Sequence, residues 1–248
     1  MNTIKLKQGC ESELGIKLHQ HFLGKISGVV GRDFEDLICD YFDGNYTQTN
    51  IQDRVESAFC DVRKDDTYIS VKYSQAVKDK TLSTVTGDNF RTTTIAKMIS
   101  QSVLMSEGKY TYELGQLNSR EELEEFMKDK TITTNKFGII AGYCYDSDTT
   151  DEIVLKVMTS NILSGQQLYN KLLQVYDEFG DMKKELRSHT ITKVFGESDT
   201  SLFHLPIGDT DITLMKKEFN KINNNIYEDK KSYLNKIQEF VNEKMLEV

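Results

Sequence analysis

The feature that most constrains the fold is an apolar run, KFGIIAGYCY, at residues 136–145. A run of this length and composition is typical of a central strand that is buried on both faces of a sheet. The segment EIVLKVMTS, at residues 152–160, has the alternation of a strand and follows after a short loop. The two segments therefore predict a pair of neighbouring strands in the middle of a sheet.

Helical and extended patterns surround this pair. In GRDFEDLICDYF, residues 31–42, apolar side chains repeat at helical spacing and aspartates take the other side. The same criteria predict further helices at 92–107, 121–130 and 165–179, strands at 55–63, 68–74 and 189–195, and a charged helical region at 211–246. This order predicts a mixed α/β fold, a mixed central β-sheet flanked by helices, with a helical C-terminal region.

Composition limits the class of protein. The 248 residues suffice for one large domain, and no stretch is long and apolar enough for a membrane span or a secretory signal. The four cysteines, Cys10, Cys39, Cys60 and Cys144, match no zinc spacing, so we expect reduced thiols in a cytoplasmic protein. The net charge of −8 disfavours nonspecific coating of nucleic acid but allows a locally basic cleft.

A β-hairpin is predicted in DVRKDDTYISVKYS, residues 61–74. With Asp65-Asp66 at the centre of the turn, Asp61 lies opposite Ser70. Side chains two positions apart share a face of a strand, so Asp61, Ser70 and Lys72 are expected to cluster. The cluster has two interpretations. It is either a cross-strand ion pair worth ~0.2–1 kcal/mol or a functional group of residues.

Glu35 adds a second carboxylate to this picture. It lies on the edge of the apolar stripe of the helix at 31–42, with apolar residues three, four and seven positions further on. A carboxylate at a buried edge is costly unless it is paired or bound to a metal. A glutamate whose carboxylate reaches out to solvent is the other interpretation of this position.

The order of these features resembles the PD-(D/E)XK nuclease superfamily, and in particular the type II restriction endonucleases. A helix with a glutamate precedes a strand with Asp61, a turn, a strand that ends in Ser70-Val71-Lys72, and another helix. GRDFEDLICDYF is similar to the opening helix of the blunt-cutting enzymes, and TTTIAKMIS to the helix that follows their hairpin. The resemblance covers residues 31–105 and is fainter beyond them.

The resemblance implies a Mg²⁺-dependent deoxyribonuclease. Mg²⁺ prefers carboxylate and water oxygens and supplies much of the chemistry of phosphodiester hydrolysis. By the resemblance, Asp61 is the main metal ligand and is supported by the backbone carbonyl of Val71. Lys72 orients the attacking water or stabilises the charge of the transition state. Residues 1–248 then form a single nuclease domain, with a catalytic core at about 31–160 and a C-terminal helical elaboration at about 211–248.

Ser70 departs from the family pattern, in which this position is Asp or Glu. Relatives with serine or cysteine here recruit a glutamate from the next helix, but the corresponding residues, Thr84 and Val85, are not acidic. The candidates for the second carboxylate are Asp88 and Glu35, with Glu56 third. The missing acid also leaves open a catalytically degenerate DNA-binding protein on the same scaffold.

The partners follow from the same resemblance. Double-stranded DNA is the expected substrate, a homodimer fits the cutting of both strands at a symmetric site, and a cognate methyltransferase accompanies restriction enzymes. A phage or repair nuclease for branched or unmodified DNA is the alternative within the nucleases. Polar and basic residues past Lys72 are our candidates for DNA contacts: Ser74, Gln75, Lys78, Lys80, Arg91 and Lys97.

Overall fold

The computed structural model describes residues 4–24, 31–48, 60–73, 95, 98–104, 119–146, 152–180, 190–196 and 199–206. The helices are α1 (Glu11–Gly24), α2 (Gly31–Tyr41), α3 (Arg120–Met127), α4 (Gly165–Phe179) and α5 (Thr190–Phe195). The strands are β1 (Thr47–Gln48), β2 (Val62–Lys64), β3 (Thr67–Tyr73), β4 (Val103–Leu104), β5 (Thr131–Ile132), β6 (Lys136–Asp146), β7 (Glu152–Thr159), β8 (Leu163–Ser164) and β9 (Asp199–Pro206). Within these ranges, no helix has the length and hydropathy needed to span a membrane.

The described part of the chain is a mixed α/β fold built around one large sheet. Its strands lie in the order β1-β2-β3-β6-β7-β9, and β8 pairs with the beginning of β6. Strand β3 runs parallel to β6, whereas the other neighbours are antiparallel. The apolar run is therefore a central strand, and its predicted pairing with the next segment is confirmed as the β6–β7 ladder.

Helices cover the two faces of this sheet. On the first, here called the α2 face, α1 and α2 pack against Ile69 and Val71 of β3 and Ile140 of β6. On the second, the α4 face, helices α3, α4 and α5 and the buried segment at 98–103 pack against Ile139 and Ala141 of β6. Because adjacent residues of β6 enter opposite cores, the strand is apolar along its length, as the sequence indicates.

Helix α4 begins and ends where the sequence predicts. Ser164 forms a capping box with Gln167, in which each side chain accepts a hydrogen bond from the other residue's backbone N–H. Gly180 follows the last helical residue with a φ of 71°, a conformation that glycine adopts without steric cost. Helix α2, whose predicted range was 31–42, is confirmed to within one residue.

Three segments differ from the sequence-based prediction. Residues 189–195 were predicted as a strand, but Thr190–Phe195 forms helix α5, because Ile191, Val194 and Phe195 recur at helical spacing and are all buried. The helix predicted at 92–107 has ended by Val103, where β4 pairs with β5. Strand β9, at the edge of the described sheet, was not predicted. Residues 211–246 lie outside the described residues.

Gly142 of β6 permits the closest contact between α2 and the sheet. A methyl group there would collide with the ring of Phe34, which also lies 4.9 Å from the ring of Tyr73.

We expect Gly142→Ala to lower the free energy of unfolding by about 1–3 kcal/mol, because a buried ring must shift. At Gly138 of the same strand the nearest atom is the flexible tip of Ile162. Urea denaturation should therefore show Gly138→Ala much closer to wild type, and equal losses would contradict this packing.

Candidate active site

The β2–β3 hairpin has the register that the sequence predicts. Val62 pairs with Ile69, Arg63 with Tyr68 and Lys64 with Thr67, and the turn contains Asp65 with a φ of 52°. Asp61 directly precedes β2, and its backbone N–H donates to the carbonyl of Ile69 at 3.0 Å. Of the strand predicted at 55–63, residues 55–59 lie outside the described residues.

Ser70 and Lys72 share one face of β3. Their neighbours Ile69 and Val71 belong to the core of the α2 face, and side chains alternate along a strand. The parallel register supports this assignment, since Ser70 lies beside Ile139 and Lys72 beside Ala141, both of which belong to the core of the α4 face. The two polar side chains therefore lie on the α4 face of the sheet.

Three polar groups donate hydrogen bonds to one carboxylate oxygen at this position. Oδ2 of Asp61 accepts a hydrogen bond from the hydroxyl of Ser70 at 3.0 Å, from the backbone N–H of Val71 at 2.6 Å and from the ammonium of Lys72 at 3.3 Å. The structure thus brings together Asp61, Ser70, Val71 and Lys72, which the sequence predicts as neighbours. We call these residues the Asp61 cluster.

The side chains of the Asp61 cluster differ in how far they are buried. Ser70 is only 3% exposed, whereas the side chains of Asp61 and Lys72 are 22% and 37% exposed. An ion pair that is this accessible contributes little to stability, about 1 kcal/mol or less. The hydroxyl and the backbone N–H therefore orient the carboxylate from the protein side, while Asp61 and Lys72 remain accessible to a substrate.

The end of β3 is held by packing on the opposite face. The hydroxyl of Tyr73 lies 2.7 Å from Sγ of the buried Cys144, and its ring packs against Phe34 of α2. Burial raises the pKa of Tyr73 far above its ordinary value, so this residue stays neutral. Because Tyr73 follows Lys72 directly, these contacts fix the backbone from which Lys72 projects.

Glu35 is half-buried on α2, next to Phe34. Its helix packs on the α2 face, whereas the Asp61 cluster lies on the α4 face. The beginning of α2 lies over the carboxyl end of β3, since Phe34 contacts Tyr73 there. Glu35 is thus placed near the end of β3 that carries Lys72, and its participation in a metal site stays a prediction.

Other donors to a metal are scarce in the described part of the chain. No three histidine, cysteine, aspartate or glutamate side chains come together there as a potential metal site. None of the four cysteines forms a disulfide, and burial raises the pKa of Cys39 to about 11, which disfavours the thiolate that metals bind. The remaining predicted residues lie outside the described residues: Glu56, Ser74, Gln75, Lys78, Lys80, Asp88, Arg91 and Lys97.

Two basic residues on the α4 face were not identified from the sequence. Arg63 is exposed and follows Asp61 by two positions, so that it shares the side of the hairpin that carries the Asp61 cluster. Lys156 lies in the middle of β7 and pairs with Tyr143 of β6, whose ring belongs to the core of the α4 face. The signal for Lys156 was a lone charge inside the otherwise apolar segment IVLKVM.

Comparison with protein-family models, with curated proteins and with solved structures finds no match for this chain.

The hydrogen bond from Ser70 to Asp61 predicts thermodynamic coupling between the two residues. We expect a double-mutant cycle of Ser70→Ala and Asp61→Ala, measured by urea denaturation at pH 7, to give a coupling energy of about 1–3 kcal/mol, because the acceptor is charged. Ser70→Ala with Asp66→Ala is the matched control, since Asp66 lies in the turn and pairs with Lys136. Additive effects of Ser70→Ala and Asp61→Ala would contradict the hydrogen bond.

Proposed function

We propose that this protein is a Mg²⁺-dependent DNA endonuclease of the site-specific type II restriction class. The observation that carries the proposal is the convergence of Ser70, the Val71 N–H and Lys72 on one oxygen of Asp61. A bare structural ion pair requires only Asp61 and Lys72. Here a buried hydroxyl and a backbone amide also orient the carboxylate, and its partner lysine stays accessible.

The arrangement of the fold supports the same proposal. Helix α2 with Glu35 precedes the β2–β3 hairpin, Asp61 stands at the start of the hairpin, and Lys72 stands near its end. Helical residues follow at Ile95 and 98–101. This is the order of elements expected for a restriction-endonuclease-like fold, and we propose that fold for the chain.

The donor set at the Asp61 cluster fits Mg²⁺. The ion binds through one or two carboxylates, keeps several waters and takes further oxygens from substrate phosphates. Asp61 supplies one carboxylate. The N–H of Val71 is directed to Asp61, and because a strand residue points its N–H and carbonyl to the same side, the Val71 carbonyl also faces this position. Glu35 or Asp88 is proposed to supply the second carboxylate.

The protein side chains have separate roles in this proposal. When bound, Mg²⁺ would lower the pKa of its water and polarise the scissile phosphate. Lys72 holds positive charge beside the reacting phosphate, where it orients the attacking water and stabilises the added negative charge. Ser70 acts through Asp61. Its hydroxyl proton is directed to Oδ2, so the serine positions the carboxylate and is not itself a carboxylate substitute.

The partners are proposed on the same basis. Double-stranded DNA is the substrate, and a homodimer would bring two active sites to the two strands of a symmetric sequence. A cytoplasmic location and a cognate methyltransferase would accompany a restriction role. A phage or repair nuclease that acts on branched or unmodified DNA has the same chemistry and would differ in its choice of substrate.

Ser70 also favours one function without catalysis. A serine where this family pattern has an acid, together with a described site that holds one carboxylate, is what a degenerate relative would show. Such a protein would bind DNA through the same face and would not cut it. A cleavage assay distinguishes the two functions, because both proteins are expected to bind DNA.

Cleavage of unmodified plasmid with Mg²⁺ tests the proposal. We expect discrete fragments with the wild type, and a loss of at least about 10²–10³-fold in rate for Asp61→Ala and for Lys72→Ala, because each removes a charge that the transition state requires. Asp61→Ala should still bind DNA, at wild-type affinity or more tightly, since it removes a negative charge near phosphate. Asp66→Ala and Lys64→Ala change the same hairpin outside the Asp61 cluster and should cut normally.

The pattern of products separates the candidate functions. A smear indicates a nonspecific nuclease, and intact plasmid with retained DNA binding supports the degenerate binding protein. Cutting by Asp61→Ala or Lys72→Ala at nearly the wild-type rate would eliminate the Asp61 cluster as the active site.

A comparison of three alanine variants identifies the second carboxylate. Ser70→Ala should lower the cleavage rate by about tenfold, because one hydrogen bond is worth a net ~0.5–1.5 kcal/mol and about 1.4 kcal/mol corresponds to one decade. Of Glu35→Ala and Asp88→Ala, the variant that removes the second ligand should lose several orders of magnitude. A nearly inactive Ser70→Ala beside two fully active acid variants would show that the serine takes part directly.

A further inference from the structure

Lys72 is a positively charged partner of the carboxylate to which a metal is proposed to bind. Its Nζ lies 3.3 Å from Oδ2 of Asp61, the oxygen that also accepts hydrogen bonds from the Ser70 hydroxyl and the Val71 N–H. A carboxylate offers about four lone-pair sites in all, or about two on each oxygen. These donors therefore fill the positions on Oδ2, and a cation that binds this oxygen must displace one of them.

Lys72 is the donor that leaves at the lowest cost. Ser70 and Val71 are 3% and 4% exposed, so a hydroxyl or an amide that lost its acceptor there would stay desolvated without a hydrogen bond. The side chain of Lys72 is 37% exposed, so its ammonium can exchange the carboxylate for water. Its flexible four-carbon stem also gives it a freedom of movement that the backbone N–H of Val71 lacks.

The positive charge of Lys72 also opposes a cation at the other oxygen. A divalent cation on Oδ1 of Asp61 would stand within a few ångströms of the ammonium. Like charges at such a distance repel each other even near the surface of a protein, where water screens them in part. On either oxygen, therefore, a cation binds Asp61 more easily after Lys72 has moved away.

The charges within the Asp61 cluster balance, because it contains one carboxylate and one ammonium. The affinity of a site for a divalent cation rises with the number of negatively charged ligands. The cluster by itself is therefore a weak site. A phosphate of a polynucleotide would bring a further negative oxygen for the cation and would give the ammonium of Lys72 another anionic partner.

We propose that Lys72 competes with the metal for Asp61, and that its ammonium moves from the carboxylate to a phosphate when the substrate binds. This inference rests on the proposed function and concerns the regulation of the same site. It couples the two ligands, because the phosphate that draws Lys72 away from Asp61 raises the affinity for the metal, and the metal in turn raises the affinity for DNA. The protein therefore binds metal weakly until its substrate is present.

The test is the affinity of the full chain for Mn²⁺ without DNA, measured by titration calorimetry at an ionic strength of about 0.15 M, where distant charges are screened. Lys72→Met keeps the apolar stem and removes the charge. It should bind Mn²⁺ about five- to tenfold more tightly than the wild type, the change expected when one solvent-accessible ion pair is removed. Lys72→Gln is a second neutral variant with the same expected gain, and Lys72→Arg, which keeps the charge, should show none.

The matched control is Lys64→Met. Lys64 is an exposed lysine on β2 of the same hairpin and lies outside the Asp61 cluster, so the variant changes the net charge by the same amount. Its affinity for Mn²⁺ should stay near that of the wild type. Adding Asp61→Asn to Lys72→Met should abolish the gain, because the gain requires the carboxylate. Thermal unfolding near the wild-type temperature establishes that each variant is folded.

The outcomes separate this inference from the proposed function. Tighter Mn²⁺ binding by the two neutral variants of Lys72, with no gain in Lys64→Met, supports the competition at Asp61. Wild-type or weaker binding by Lys72→Met and Lys72→Gln, an equal gain in Lys64→Met, or a gain that persists with Asp61→Asn would overturn it. The proposed function is judged by cleavage of plasmid, so a wild type that cuts DNA beside unchanged Lys72 variants would overturn this inference alone.

Discussion

The hydrogen bond from the Val71 N–H to Asp61 is the interaction on which the site depends. Asp61 precedes β2 and gives its own N–H to Ile69, so the regular ladder does not continue past Val62. A buried amide that has no partner is costly, and the carboxylate supplies one at 2.6 Å. The same bond holds the carboxylate beside β3, where the hydroxyl of Ser70 and the ammonium of Lys72 also donate to its Oδ2. The geometry of the proposed active site thus follows from the hydrogen bond that the backbone N–H of Val71 requires.

The position of β6 determines which side of the sheet carries this chemistry. Strand β6 is buried on both faces and runs parallel to β3. Its register with β3 therefore fixes which side chains of β3 enter each core. Ile69 and Val71 must enter the core beneath α2, which leaves Ser70 and Lys72 on the α4 face. Helices α3, α4 and α5 cover that face, whereas Leu202 at its β9 edge is 53% exposed. Along β3, the residues that pack in the core and the residues that carry the proposed chemistry therefore alternate.

Patterns of local sequence predicted much of this arrangement. The apolar run of β6, the capped helix α4 and the hairpin register around Asp65 each depend on neighbouring residues, and each was found as predicted. Helix α5 was misassigned because its β-branched residues favour a strand, and only burial against α4 reveals the helix. The α4-face position of Lys156 required knowledge of which face of β7 meets Tyr143. The face of the sheet that α2 covers, which decides what Glu35 reaches, also has no local signal.

The measurement that tests the central claim most directly is the location of a divalent metal in crystals of the protein with duplex DNA and Mn²⁺, read from anomalous scattering. We predict a metal peak within coordinating distance of a carboxylate oxygen of Asp61 and of the Val71 carbonyl, with the scissile phosphate beside it and Lys72 in contact with that phosphate. Asp61→Ala should lose the peak while it retains the DNA. A bound duplex with its metal at another place, or a peak that persists in Asp61→Ala, would contradict the account.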